Sequence, residues 1–129
     1  GTPFDLTRGR FFLEGLGESH PQLTLGNGYD HNFVLHSAPV GPLAPAAEVR
    51  GGGLVLACET TQPGLQLYTA NYLEGERGKE GACYGPRCAF CLETQFFPDS
   101  PNQPAFPSAI LRAGEHYDHI TRFCFSTED

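Results

Sequence analysis

Apolar and polar positions alternate with a period of two in five stretches of the chain, 29–35, 54–61, 65–72, 90–95 and 117–126. Alternation of that kind predicts half-buried β-strands. Turn-forming residues separate them: Gly26-Asn27-Gly28, Gly51-Gly52-Gly53, Gln62-Pro63-Gly64, the glycine-rich segment 75–81 and the proline-rich segment 98–107. No apolar pattern of helical period runs for ten residues or more. The triple glycine predicts the tip of a hairpin joining a weak strand over 43–49 to the stronger one over 54–61. Pro45, which has no N–H to donate, confines the weak strand to an edge or a bulge. By composition alone, 37–47 (SAPVGPLAPAA) also reads as a linker. With no internal repeat and no second domain visible, the pattern predicts an antiparallel β-sandwich or a part of one.

Composition narrows the class. A chain of 129 residues suits one domain with a real core. Its 16 glycines and 11 prolines fit a turn-rich soluble fold, and no apolar run is long enough to cross a bilayer. The net charge is −7 and the eight basic residues are scattered singly, so no footprint for nucleic acid or acidic lipid is visible. Five cysteines (Cys58, Cys83, Cys88, Cys91, Cys124) are odd in number. With no signal-like opening segment, they fit a reducing cytoplasm better than a disulfide framework. The chain begins at Gly1 and contains no methionine, so a processed product or a piece of a longer chain is expected.

Alternation places Ala89, Cys91, Glu93 and Gln95 on one face of their strand and Phe90, Leu92 and Thr94 on the other, which has the composition of a core face. Glu93 thus shares a half-polar face with a thiol and an amide, where an apolar setting would penalise a carboxylate and suit it to general-base work. The alternative is a plain solvent-facing glutamate. Asp30, between Tyr29 and His31, and Gln66, between Leu65 and Leu67, alternate in the same way. A sheet with one wet face accounts for them. So does a sugar-binding surface, because hydroxyl-rich ligands need fixed carboxylates and amides that accept and donate at once.

Cys83, Cys88 and Cys91 are spaced C-x4-C-x2-C. A strand over 89–93 turns Cys88 and Cys91 to opposite faces, and a second short-spaced pair of ligands is lacking, so thiols packed as small hydrophobes are expected rather than zinc. His20, His31, His36, His116 and His119 make no ligand pattern. His31 and Asp30 are strand neighbours that face opposite ways, and 116–119 (HYDH) reads as a polar entry to a strand. No glycine-rich phosphate loop or nucleophile elbow is present.

Four longer stretches are more specific: GNGYDHNFVL (26–35), TTQPGLQLYTANYLEG (60–75), CLETQFFPDSPNQPAFPSAILRAGEHYDH (91–119) and TRFCFS (121–126). In order and spacing, and with FDLTRGR (4–10) before them, they closely resemble the aldose 1-epimerase family. The resemblance implies an antiparallel β-sandwich of the galactose mutarotase-like type, in a cytoplasmic, monomeric enzyme that needs no cofactor and no metal. It implies interconversion of the α and β anomers of aldohexoses such as galactose and glucose, with Glu93 as general base and with Asp30, Gln66 and Glu93 holding the sugar.

In that chemistry the base takes the proton of the anomeric hydroxyl while an acid protonates the ring oxygen. The ring opens, the aldehyde turns, and closure from the other face gives the opposite anomer. The family's acid is a histidine upstream of the matched stretches, as are a second histidine and an arginine that bind substrate. The resemblance therefore implies that 1–129 is the C-terminal part, less than half, of a single aldose 1-epimerase domain, carrying the base without the acid and largely inactive alone. The alternatives are a non-catalytic carbohydrate-binding or interaction module and, more remotely, a glycosidase using Asp30 and Glu93 as its carboxylate pair. Strands whose partners lie in an absent portion would leave open edges that favour association.

Overall fold

The computed structural model describes residues 1–35 and 42–128. Among them are two short helices, α1 (Phe12–Leu16) and α2 (Pro21–Leu25). Eight strands follow: β1 (Asp30–Val34), β2 (Ala44–Gly51), β3 (Leu54–Thr60), β4 (Gly64–Tyr68), β5 (Glu76–Arg77), β6 (Cys83–Tyr84), β7 (Cys91–Gln95) and β8 (Thr121–Thr127). They form three sheets, in the orders β1-β4-β7, β2-β3-β8 and β5-β6, and the β2–β3, β3–β8 and β5–β6 pairs are antiparallel. The all-β class read from the alternation holds. The chain divides into two compact units, Gly1–His31 with Leu67–Cys91, and Asn32–Gln66 with Leu92–Asp129.

In the first unit Tyr29 is fully buried, and Leu23, Leu67 and Ala70 are buried as well. The Tyr29 hydroxyl donates to the Pro3 carbonyl at 2.7 Å, and its ring stands edge-on to Phe4. Burial pushes the phenol's pKa up. Helix α2 opens with Pro21 at its first position, and His20 Nδ1 accepts from the Gln22 N–H, which supplies a partner for one of the otherwise unpaired amides there. At five residues each, both helices are too short to show a periodic apolar stripe and depend on packing rather than on propensity.

The strand expected over 65–72 stops at Tyr68 because the next side chains turn to other work. Thr69 Oγ1 donates to Asn71 Oδ1 at 2.7 Å. Asn71 Nδ2 donates to the carbonyls of Tyr29 (2.8 Å) and Gly26 (2.9 Å). Asn27 Nδ2 in turn donates to the Asn71 carbonyl at 3.2 Å. These bonds join the turn at 26–28, just before β1, to the end of β4. Asn71 is 2% exposed, so water cannot take over its role.

In the second unit, β2 and β3 form the expected hairpin, with Gly51 opposite Leu54. The two loop residues Gly52 and Gly53 have φ of +61° and +78°, the left-handed pair that a two-residue turn between twisted strands requires. Pro45 falls where both expectations placed it: β2 is an edge strand and its register shifts between Pro45 and Ala47. Residues 44–47 are therefore strand, not linker; 42 and 43 form a bend before it, and 37–41 lie outside the described residues. Strand β8 begins at Thr121 rather than at 117. Tyr117 and His119 are bonded to Gln62 and Thr61, which takes that segment out of the ladder.

Replacing Asn71 with Leu removes both Nδ2 donors and leaves the half-buried Gly26 carbonyl without its donor, while the Tyr29 carbonyl keeps the Thr69 N–H at 3.1 Å. Unfolding in urea is expected to show a loss of roughly 2–3 kcal/mol, with the slope m unchanged. An unaltered midpoint would mean that the turn does not depend on Asn71.

Candidate functional site

Glu93 is the third residue of β7 and is exposed, as is Cys91, while Leu92 and Thr94 are half-buried. The alternation therefore has the expected phase, with the carboxylate on the open face. Gln66 is the third residue of β4, half-buried between Leu65 and Leu67, which are 4% and 3% exposed. Strand β4 has neighbours on both sides in its sheet, and that central place buries it more deeply than a strand with one wet face. Gln66 and Glu93 belong to the second unit, on the neighbouring strands β4 and β7. Asp30 belongs to the first unit, where it is the exposed first residue of β1.

Local packing in the second unit depends on Gly64 at the start of β4. A Cβ there would lie 2.7 Å from Asn32 Oδ1 and 3.0 Å from Phe97 Cδ1. Only glycine allows the Asn32 amide and the ring that follows β7 to come so close to the β4 backbone. Asn32 Nδ2 is buried and has no hydrogen-bond partner among the described residues.

The segment after β7 is held by rings and local hydrogen bonds. Phe96 meets His119 edge-on at 5.4 Å, and Phe97 meets Phe106 in the same way at 5.3 Å, a favoured aromatic geometry. Asp99 has φ +63° and its carboxylate accepts from Asn102 Nδ2 (2.6 Å) and Gln103 Nε2 (2.8 Å). Those bonds, led by the one from Gln103, hold Asp99 below the usual carboxylate range. The proline-rich stretch is thus ordered by specific contacts.

A second cluster escaped the sequence reading. Gln62 is 3% exposed and donates through Nε2 to the Tyr117 hydroxyl at 2.8 Å, while Thr61 Oγ1 lies 3.2 Å from His119 Nδ1. Gln62 Oε1 is buried without a partner among the described residues. Gln62 had the signature of a turn residue beside Pro63-Gly64, and nothing in the local pattern announces that it is buried. The polar run 116–119 is what supplies its partner.

His31 turns back to the Asp30 backbone. Its Nδ1 accepts the Asp30 backbone N–H at 3.0 Å, and its ring packs on Phe4 at 4.6 Å. Burial pushes its pKa down, against a smaller opposing pull from Asp30. Cys58 is buried, and burial pushes its thiol up. The other four cysteines are exposed and free. No group of three or more His, Cys, Asp or Glu side chains gathers to hold a metal among the described residues, and no described helix is long and apolar enough to cross a membrane. An exposed strand carboxylate beside a half-buried amide can take a proton from a hydroxyl and hold neighbouring hydroxyls.

Comparison with known proteins adds an independent line. A family model described as aldose 1-epimerase matches residues 1–124. The chain is similar to galactose mutarotase of Bos taurus, 46% identical over 127 residues, and to that of Homo sapiens, 45% identical over 127 residues. Each alignment covers 98% of this chain and 36% of the relative. It is also similar to aldose 1-epimerase of Escherichia coli, 34% identical over 132 residues, covering 99% of this chain and 38% of the relative. The chain thus spans little more than a third of the length of these relatives.

Two outcomes follow from the packing. Gly64→Ala is expected to cost about 1–3 kcal/mol in urea unfolding and to shift the amide NMR signals of Asn32 and Phe97. No shift at either would mean the close approach is not required. For His31, a folded pKa below the ordinary 6.5 means that the unfolded chain binds the proton more readily. The contribution of neutral His31 is whole above that value and is lost as pH falls below it toward the folded pKa. Melting temperatures from pH 7.5 to 5 should fall less steeply in His31→Gln, and equal slopes would contradict the assignment.

Proposed function

The chain belongs to the aldose 1-epimerase family, and on that premise we propose that it forms the C-terminal part of a single-domain enzyme that interconverts the α and β anomers of aldohexoses such as galactose and glucose. Glu93 is the general base, and Asp30 and Gln66 bind sugar hydroxyls. The whole enzyme is cytoplasmic and monomeric and engages neither nucleic acid nor membrane. The observation that carries the reading is the Glu93 carboxylate, exposed on β7 beside the strand that carries Gln66, in a chain matched by the family model over residues 1–124. Relatives named galactose mutarotase support the substrate class.

Glu93 would take the anomeric proton as the ring opens and return it as the ring closes, and a carboxylate can do both without a cofactor. Gln66, with a donor and an acceptor on one amide, suits a hydroxyl that must also donate and accept. Fixing the remaining hydroxyls keeps the open-chain aldehyde in place, so that closure is faster than escape. The proton donor to the ring oxygen is a histidine upstream of these residues, so that 1–129 alone binds sugar without efficient turnover.

Polarimetry on freshly dissolved α-galactose tests both parts. In the whole enzyme Glu93→Gln should lower kcat by 10²- to 10⁴-fold, and an undiminished kcat would remove Glu93 from the base role. The 129-residue chain should leave the rate close to that of buffer, and a rate well above buffer would show that no upstream acid is needed.

A further inference from the structure

Strand β8 is the last strand of its sheet, and all seven of its residues are exposed. Its inner neighbour is β3, in unbroken antiparallel register from Leu54 opposite Thr127 to Thr60 opposite Thr121. At the two ends of that register, the Thr61 N–H donates to the Ile120 carbonyl and the Glu128 N–H to the Gly53 carbonyl, both at 3.0 Å. Hydrogen-bonded pairs alternate along an antiparallel ladder, so Arg122, Cys124 and Ser126 turn their backbone groups toward β3. Thr121, Phe123, Phe125 and Thr127 turn theirs outward, where no described strand meets them. The opposite edge of the sheet is blunted by Pro45 and the shift beside it, a common protection against edge pairing. Strand β8 carries no such device.

The strand reads TRFCFST, nearly the same in both directions about Cys124. We propose that two copies of this chain pair through β8, antiparallel, with a two-fold axis at Cys124. In that register Phe123 of one copy lies opposite Phe125 of the other and Thr121 opposite Thr127, all four being outward-bonding positions in both copies. The one charged residue, Arg122, meets Ser126 rather than its own copy. A centre at 122 would set arginine against arginine, and any centre other than 124 leaves part of the strand unpaired. Phe123 and Phe125, 46% and 72% exposed, lie on the same sheet face as Leu54, which is 55% exposed. Pairing lines the rings of both copies side by side on that face, where cross-strand aromatic pairs stabilise a sheet. The interface is self-complementary, as a closed two-fold dimer requires. The inference does not depend on the reaction proposed above. It concerns the 129-residue chain, and in a monomeric whole enzyme the same edge would have to be covered.

The test uses the triple variant Cys83→Ser/Cys88→Ser/Cys91→Ser, in which Cys124 is the remaining exposed thiol. Sedimentation equilibrium should show a monomer–dimer equilibrium. Diamide, which takes up the two electrons and two protons of each thiol pair, should convert the dimer into a disulfide-linked one, because thiols directly opposite each other are within bridging distance. Phe125→Pro removes an outward N–H while sparing the bonds to β3, and should raise the dimer Kd by tenfold or more. A second variant needs no proline: moving the thiol by Cys124→Ser with Ser126→Cys sets it opposite position 122, and cross-linking should be lost. A chain that stays monomeric at the highest attainable concentration, or a dimer that cross-links equally well from 126, overturns the proposal.

Discussion

The buried amide of Asn71 is the contact on which the first unit depends. It holds two carbonyls of the 26–29 turn and takes a hydrogen bond from Thr69, so the end of β4 and the approach to β1 are joined by one side chain. A carbonyl withdrawn from water without a donor costs about as much as a core methyl group or more, and among the described residues no second donor meets the half-buried Gly26 carbonyl. Tyr29 completes the arrangement from the other side. Its hydroxyl fixes the chain's opening residues through Pro3, while its backbone N–H meets Thr69 Oγ1 at 3.2 Å. Asp30 is the next residue in the chain, and its backbone position is a consequence of this network.

The second unit has a different logic. Its sheet is long and regular, with seven consecutive pairs between β3 and β8. Side-chain hydrogen bonds appear where that regularity ends. Thr60, Thr61 and Gln62 bond to 117–121 at the close of β3, and the rings of Phe96 and Phe97 secure the chain as it leaves β7. The Arg122–Glu59 ion pair lies on the exposed sheet and adds little by comparison. Gln66 and Glu93 thus stand on strands whose ends are tied down by buried or aromatic contacts.

The chain spans 36% of the length of the Bos taurus relative it matches, and the function proposed above would divide an acid–base site between sequence segments far apart. Sheet proteins do this readily, because neighbouring strands need not be neighbours in sequence. The same property exposes a strand such as β8: its hydrogen-bonding groups are complete on one side and open on the other, and what meets them decides whether the edge is a seam or an interface.

The sequence by itself determined which side of each strand a residue takes. A side-chain period of two leaves no freedom there, so Glu93 faced outward and Leu92 inward from the pattern alone, and Gly52-Gly53 made the hairpin because few other residues enter the left-handed region cheaply. The Asp30, Gln66 and Glu93 assignments came from long word matches to a family, not from the period. Only the tertiary structure decided where β4 and β8 begin and end, that Gln62 is buried, and that His31 turns back to the Asp30 backbone. The reason is distance along the chain. Asn71 meets Tyr29 from 42 residues away and Gln62 meets Tyr117 from 55. A polar side chain whose partner is that remote looks, in sequence, the same as one that faces water.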